Sequence, residues 1–405
     1  MRAPAPESVR GSDRTPLNEP LLRLFRRLLD ELELPESSEW DAGESLIDPS
    51  VYSSEERYQR ELDGIFRRMP LCLGHAGQLP NPGDMLAREV IGLPLLMVRD
   101  RDGEINVFLN VCRHRGARLV VQQEQVCHAN ALSCPYHAWT YDLHGALRAI
   151  PGREGFPAID FSERGLRQFP CEVRHGLIWV QLDVDQPDID QPQIDVAGFL
   201  GEIDEDLTAL DLGSHRFYRQ HARVRKTNWK LVMDAFQEVY HINRLHAKTI
   251  APFFLDRKLA GEGVGLHTRL LVGRDRLREA VELPPEQWDF RNHITLTHVV
   301  FPNSLIIYHP DSTSHLAMLP SAPGEILFVH TMLIPHEPHS DKESAHWERN
   351  FAMIDEGVFG AEDLVVSEQI QKGLSSGANE TLVFGRFEQH LRRFHENVAS
   401  LVTNT

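Results

Sequence analysis

Cysteine is scarce in this chain. It occurs five times in 405 residues, as Cys72, Cys112, Cys127, Cys134 and Cys171. That is too few and too irregular for a disulfide framework at this length, so a chemical use of the thiols is the better reading. Positive charge is also in short supply: 42 Lys and Arg stand against 59 Asp and Glu, for a formal net charge of −17. Such a chain repels phosphate backbones and anionic lipid, so neither nucleic acid nor a membrane surface is an expected partner, and any cationic patch has to be local. No apolar run approaches the roughly 20 residues of a membrane span, and Met1 to Asp13 lacks the apolar centre of a secretion signal. A cytoplasmic address is expected. Internal repeats, low-complexity tracts and a Gly-rich nucleotide loop after a strand are also missing, so a nicotinamide cofactor would have to act through another protein.

What is present is the composition of an ordinary folded chain, 41% hydrophobic and 25% charged, long enough for two or three domains. Leu21, Leu24, Phe25, Leu28 and Leu32 recur at helical spacing, with Asn18 as N-cap and Pro35 as the stop, and predict one amphipathic helix. From about Pro70 to Leu182 the texture changes to short strand-like runs, such as Leu95–Arg99 and Glu104–Leu109 around the turn Asp102-Gly103, which predicts a small all-β domain. Asp, Gln and Pro crowd together at Asp183–Pro192 and read as a linker. Beyond it come a helical segment at Asn228–His241, strands at Ile294–Val300, Ser304–Tyr308 and Glu325–Ile334, and a closing helical stretch from Glu362. The fold class is α+β.

Two short loops each offer one thiol and one imidazole: Cys112-Arg113-His114 and Cys134-Pro135-Tyr136-His137, with 19 residues between His114 and Cys134. Zinc fingers group their cysteines on one loop and their histidines on a helix, so this mixing demotes zinc. A two-iron, two-sulfur cluster that holds one iron by two thiolates and the other by two imidazoles takes one ligand of each kind from each of two apposed loops. Neutral imidazole in place of thiolate raises the reduction potential of such a cluster. Asn110-Val111-Cys112-Arg113-His114-Arg115-Gly116 and Cys134-Pro135-Tyr136-His137-Ala138-Trp139-Thr140-Tyr141 resemble the cluster loops of the Rieske family, with a slightly longer gap that suggests an insertion at Gln122–Gln125. Cys127 and His128 lie between the loops and read as structural. Cys72 and Cys171 have no histidine at the right spacing and read as small apolar fillers. Arg113, Arg115 and Arg118 surround His114 as a local positive patch, readable either as a docking site for an acidic electron donor or as side chains that hold loop carbonyls.

In the second constellation Asp234, Glu238 and His241 fall on one face if 228–241 is a continuous helix. Its other sides carry Val232, Met233, Phe236, Val239 and Tyr240, so the helix is expected to be buried, and a buried acidic stripe needs a metal, a proton or a cation. His246 lies five residues after His241, about 140° away on an ideal helix, so the two meet at one ion only if the helix ends or distorts near Asn243. They would then form two thirds of a two-His, one-carboxylate iron site.

This segment resembles the iron-binding helix of Rieske oxygenase catalytic domains. The resemblance implies His241 and His246 as iron ligands, and Asp363 as the third from Ala361-Glu362-Asp363-Leu364, with Glu362 and Asp355 as competing acids. It implies catalytic roles for Asp234 and for Glu238, the latter carrying an electron through hydrogen bonds from a cluster histidine of the next subunit. Ring dioxygenases of the family usually have Asp there, and Glu is similar to what quaternary-ammonium oxygenases carry.

The implied architecture is an N-terminal helical extension (1–44), a Rieske domain (68–185), and a catalytic domain (190–405, joined by 45–67) with a central antiparallel sheet flanked by helices. The implied enzyme, a large (alpha) subunit of the ring-hydroxylating family, contains a [2Fe-2S] cluster and one mononuclear Fe(II). It takes electrons from NAD(P)H through a reductase, with or without a ferredoxin, and uses O2 to hydroxylate an organic, aromatic substrate. The implied assembly is a homotrimer, with or without a small beta subunit. The alternative is a monooxygenase or demethylase acting on a methylated amine or ether. Phe253, Phe254, Phe301 and Tyr308 are readable either as a pocket for a flat substrate or as core. An electron carrier with an inert second domain and a zinc hydrolase are the competing classes.

Overall fold

A computed structural model describes residues 17–34, 40–41, 43–183 and 194–402. The amphipathic helix is present as Glu19–Asp30, with the Asn18 side chain accepting from the Leu21 amide, and it buries Leu21, Leu24, Phe25 and Leu28. The stop at Pro35 and nearly all of the linker at Asp183–Pro192 lie outside the described residues.

The segment from 71 to 180 folds entirely into strands, turns and short 3-10 turns. A five-stranded antiparallel sheet runs in the order Gln168–Phe169, Ile105–Leu109, Leu93–Arg99, Asp84–Val90, Val126–His128. A three-stranded sheet joins Cys171–Arg174, Leu177–Val180 and Leu71–His75, and a second joins Leu132–Ser133, Thr140–Tyr141 and Leu147–Ala149.

The C-terminal part is built on a seven-stranded antiparallel sheet, ordered Arg216–Arg225, Glu325–Ile334, Thr313–Ala322, Ser304–Tyr308, Ile294–Val300, His267–Arg274, Phe254–Val264. Six of these strands follow one another in sequence as a meander. The strand that comes first in the chain sits at the opposite edge from the second, so residues 226–253 have to cross the whole sheet, about 29 Å at the usual strand spacing. Cross-strand partners Val299 and Leu305, Leu305 and Leu316, and Met318 and Phe328 share one face, and that face packs with Trp229, Val232 and Met233 of the crossing segment. Phe359, Leu364 and Phe394 join the same core. The crossing is therefore anchored by apolar burial, and it carries the second constellation.

Segment 45–67 reaches toward this part of the molecule. Ser45–Ile47 pairs with Leu382–Phe384, and Glu55–Glu61 packs against the C-terminal helix Gln389–Val402. The sequence pattern predicts three of the seven sheet strands. Of the other four, Arg216–Arg225 is only partly buried and carries four arginines and a histidine, so its pattern does not alternate cleanly. Phe301 packs on Phe394, and Tyr308 is buried against His215, His298 and Arg291, so both are core. Phe253 and Phe254 lie under the Arg274 guanidinium.

Candidate metal centres

The two mixed loops share one backbone design. Cys112 accepts from the Gly116 amide and Cys134 from the Ala138 amide, four residues on in each case, and both of those residues take a left-handed conformation (φ 79° and 55°). The return bonds run from Cys112 N to Ala117 O and from Cys134 N to Trp139 O. A left-handed Ala costs about 1 kcal/mol or more relative to Gly, so surrounding contacts have to hold Ala138 there. Cys112 and Cys134 are free and buried, whereas His137 is exposed at the tip. The His114 and His137 rings are 4.7 Å apart, and His114 stacks on Trp139 at 4.8 Å. Burial pushes the Cys112 thiol up, and the neighbouring Cys134 adds to it.

No three of the four donors, among the described residues, come within 4.8 Å of one another, a separation that the ligands of one tetrahedral ion would satisfy. Two buried thiols, a half-buried His114 and an exposed His137, with no three donors close enough for a single ion, fit a two-iron cluster.

The remaining cysteines are placed elsewhere. Cys72 is buried, with its thiol pushed up to about 12 by burial, and the half-buried Cys171 packs on the Ile105 carbonyl. Cys127 lies in the strand Val126–His128, where His128 pairs with Asp84 at 2.9 Å. Of the three arginines, Arg118 pairs with Glu89, Arg115 lies over the Tyr136 ring, and the exposed Arg113 gives its backbone N–H to the Tyr141 hydroxyl.

In the second constellation the helix is shorter than the spacing predicts. It spans Trp229–Ala235 and stops well before Asn243. Two side chains take over the backbone there. Gln237 donates its amide to the Met233 carbonyl, and the Glu238 carboxylate accepts from the Tyr240 and His241 amides. Such local bonds compete with the helical ladder. A single helical turn, Ile242–Leu245, then leaves His241 immediately before it and His246 immediately after it. The shared face expected for Asp234, Glu238 and His241 is thereby lost. Asp234 is turned to other partners: Tyr52 donates to it at 2.7 Å, and His395 lies 3.0 Å away.

His241, His246 and Asp363 do come together. Their donor atoms lie within 4.8 Å of one another, with Asp363 Oδ1 3.1 Å from His246 Nε2 and 3.8 Å from His241 Nε2. Asp363 ends the π-helical stretch Ala352–Asp363, which turns it and its neighbour to the same histidine. Glu238 bonds Nδ1 of His241, and Glu362 bonds Nδ1 of His246 at 2.7 Å. Burial pushes both imidazoles down, but the carboxylates more than offset it, Glu238 and then Asp363 at His241 and Asp363 and then Glu362 at His246, and both are raised. Glu388, with its carboxyl held up by burial and by Glu238 and Asp234, adds to the acidity of the neighbourhood.

Asp363 Oδ1 is buried without a hydrogen-bond partner, since the 3.1 Å approach of His246 lacks hydrogen-bond geometry. An orphaned buried carboxylate oxygen facing two Nε2 atoms fits a divalent metal. Asp355 is excluded as a competing ligand because His221, His330 and Arg223 surround it. The sequence left Glu362 only as a rival ligand and did not signal Thr249, which donates to Glu362 at 2.7 Å.

Two family models match in tandem: the Rieske [2Fe-2S] domain over residues 69–170 and the ring hydroxylating alpha subunit (catalytic domain) over residues 212–404. This chain belongs to the Rieske-type ring-hydroxylating oxygenases. Its cofactors are those of the family, a [2Fe-2S] cluster and a mononuclear non-haem iron.

Among the relatives, the chain is 35% identical to the biphenyl 2,3-dioxygenase subunit alpha of Rhodococcus jostii (strain RHA1) over 48% of this chain and 42% of that one. It is 28% identical to the salicylate 5-hydroxylase large oxygenase component of Ralstonia sp over 84% and 87%. The match thus spans under half the length of the dioxygenase subunit. The fold is that of the quaternary ammonium Rieske monooxygenase CntA in complex with L-carnitine (TM-score 0.72, 21% identity, 90% of this chain and 97% of that one). It is also that of naphthalene 1,2-dioxygenase from Rhodococcus sp. bound to indole (TM-score 0.71, 18% identity, 95% and 98%). Among the described residues no helix is long and apolar enough to cross a membrane.

Proposed function

We propose that this Rieske oxygenase chain is the terminal component of a multicomponent system that hydroxylates an organic, aromatic substrate with O2, using NAD(P)H electrons delivered by a separate reductase, with or without a ferredoxin. Cys112, His114, Cys134 and His137 would hold the cluster, and His241, His246 and Asp363 the iron. The observation that carries the reading is the convergence of two Nε2 atoms on an orphaned Asp363 oxygen. When bound, the cluster would supply single electrons and the iron the chemistry of O2 activation.

The chain's own residues do the positioning. Cys112 and Cys134 are buried and would hold the cluster from the protein interior, while the exposed His137 would hold it at the surface, where an electron donor can reach. Glu238 accepts from His241 Nδ1, which leaves Nε2 free for the metal. In this reading Glu238 also receives a cluster histidine of a neighbouring copy, which requires a head-to-tail homotrimer, and a cytoplasmic setting supplies the NAD(P)H. The division 1–44, 45–67, 68–185 and 190–405 belongs to the same proposal. It is supported by the pairing of Ser45–Ile47 with the C-terminal strand Leu382–Phe384.

The biphenyl and salicylate relatives favour an aromatic substrate. Glu at 238 favours the second reading, oxygenation of a methylated amine. Reduced enzyme given O2 and a panel of aromatic acids, heterocycles and methylated amines separates them: hydroxylated ring product supports the first, formaldehyde the second. His241→Ala is expected to keep the cluster's visible spectrum and to lose product formation by at least about 100-fold. Unchanged turnover in that variant would refute the proposal.

A further inference from the structure

We infer that Glu362 is a positioning residue for the iron centre, holding His246 in the one tautomer and ring orientation that presents Nε2 to the metal, with Thr249 locking the Glu362 carboxylate in place. The inference rests on the reading of His241, His246 and Asp363 as ligands.

The geometry is a clamp built from consecutive residues. Glu362 Oε2 lies 2.7 Å from His246 Nδ1, while Asp363 Oδ1 lies 3.1 Å from Nε2 of the same ring. A carboxylate accepts from the ring here, so the ring hydrogen sits on Nδ1, and the Nε2 lone pair is left for a metal held with Asp363.

Thr249 completes the arrangement. Its hydroxyl donates to the same Oε2 at 2.7 Å, and its amide donates to the His246 carbonyl at 3.0 Å, so carboxylate and ligand are tied to one turn of backbone. His246 is 1% exposed, so no water competes for Nδ1. His241 is held differently, by Glu238 three residues earlier in its own loop. The two ligands thus depend on separate carboxylates, one local in sequence and one from 116 residues away. Movement of the π-helical stretch would carry ligand Asp363 and clamp Glu362 together.

The test follows anaerobic release of Fe(II) from full-length holoenzyme to a chromogenic Fe(II) chelator, with the cluster's visible absorbance recorded in the same sample. Glu362→Ala is expected to weaken Fe(II) retention about 10- to 100-fold with the cluster absorbance unchanged. Glu362→Gln should recover part of the loss, because its amide oxygen still accepts from Nδ1–H, and Thr249→Val should cost less than Glu362→Ala. Asp363→Ala and His246→Ala should lose the iron outright. If those two keep it, the ligand assignment itself falls. If they lose it while Glu362→Ala stays within about twofold of the parent, or if Glu362→Gln is no better than Glu362→Ala, the positioning role alone is overturned.

Discussion

Tyr141 shows how one side chain tunes a cofactor site. Its hydroxyl accepts from the Arg113 amide at 2.9 Å and stands 3.3 Å from the Cys112 sulfur. Burial, and then the Cys112 thiol, raises the phenol well above its ordinary value, so the hydroxyl keeps its proton and would donate a hydrogen bond to Cys112 if that sulfur holds the proposed cluster as a thiolate. That bond favours the more negative, reduced cluster. Tyr141→Phe is expected to lower the reduction potential by about 40 mV, the one-electron equivalent of a hydrogen bond worth about 1 kcal/mol. A redox titration showing no shift or a rise would contradict this account.

At the scale of elements, the crossing segment 226–253 is pinned to the N-terminal part of the chain by a buried charge pair. The Lys230 ammonium lies 2.7 and 2.8 Å from the Glu61 oxygens, and Trp229 donates its indole N–H to Glu61 at 2.9 Å. Glu61 closes the helix Glu55–Glu61, and Lys230 lies in the first turn of the helix Trp229–Ala235. Burial lowers Lys230 from its ordinary value despite Glu61, so the pair holds together only while both partners remain. Lys230→Met leaves the buried Glu61 carboxylate with Arg57, 3.2 Å away, and the Trp229 indole as its remaining partners, and is expected to cost about 1–3 kcal/mol in urea unfolding. Adding Glu61→Gln, which keeps an acceptor for Trp229, should restore much of it. A double variant as unstable as the single one would contradict the pairing argument.

For the whole molecule, acid stability follows from buried imidazoles outside the metal centres. Burial lowers His75, His215, His267 and His390 to about 4 and His315 to about 3. Released by unfolding, each binds a proton near pH 6.5. Between about pH 6.5 and 4 the unfolded chain therefore binds more protons than the native one, and stability rises with pH through that window. Above pH 6.5 the contribution is complete, and it is lost as pH falls toward the native values. Each residue contributes at most about 1.4 kcal/mol per pH unit. The urea midpoint is expected to drop steadily from pH 6.5 to 4.5, and a flat profile there would be inconsistent with these histidines being neutral in the native state.

The sequence by itself determined the ligand chemistry and the fold class. Cysteine and histidine paired within two short loops, and two histidines five apart beside acids, are local patterns that neither packing nor topology has to supply. It could not determine where the helix after Asn228 ends, because Gln237 and Glu238 compete for backbone groups only once the buried crossing is formed. Asp234 illustrates the limit, since its partners Tyr52 and His395 come from the two ends of the chain. The choice between Glu362 and Asp363 was likewise tertiary. Adjacent acids are alike in sequence, and it takes the π-helical stretch packed against His246 to give one of them Nδ1 and the other Nε2.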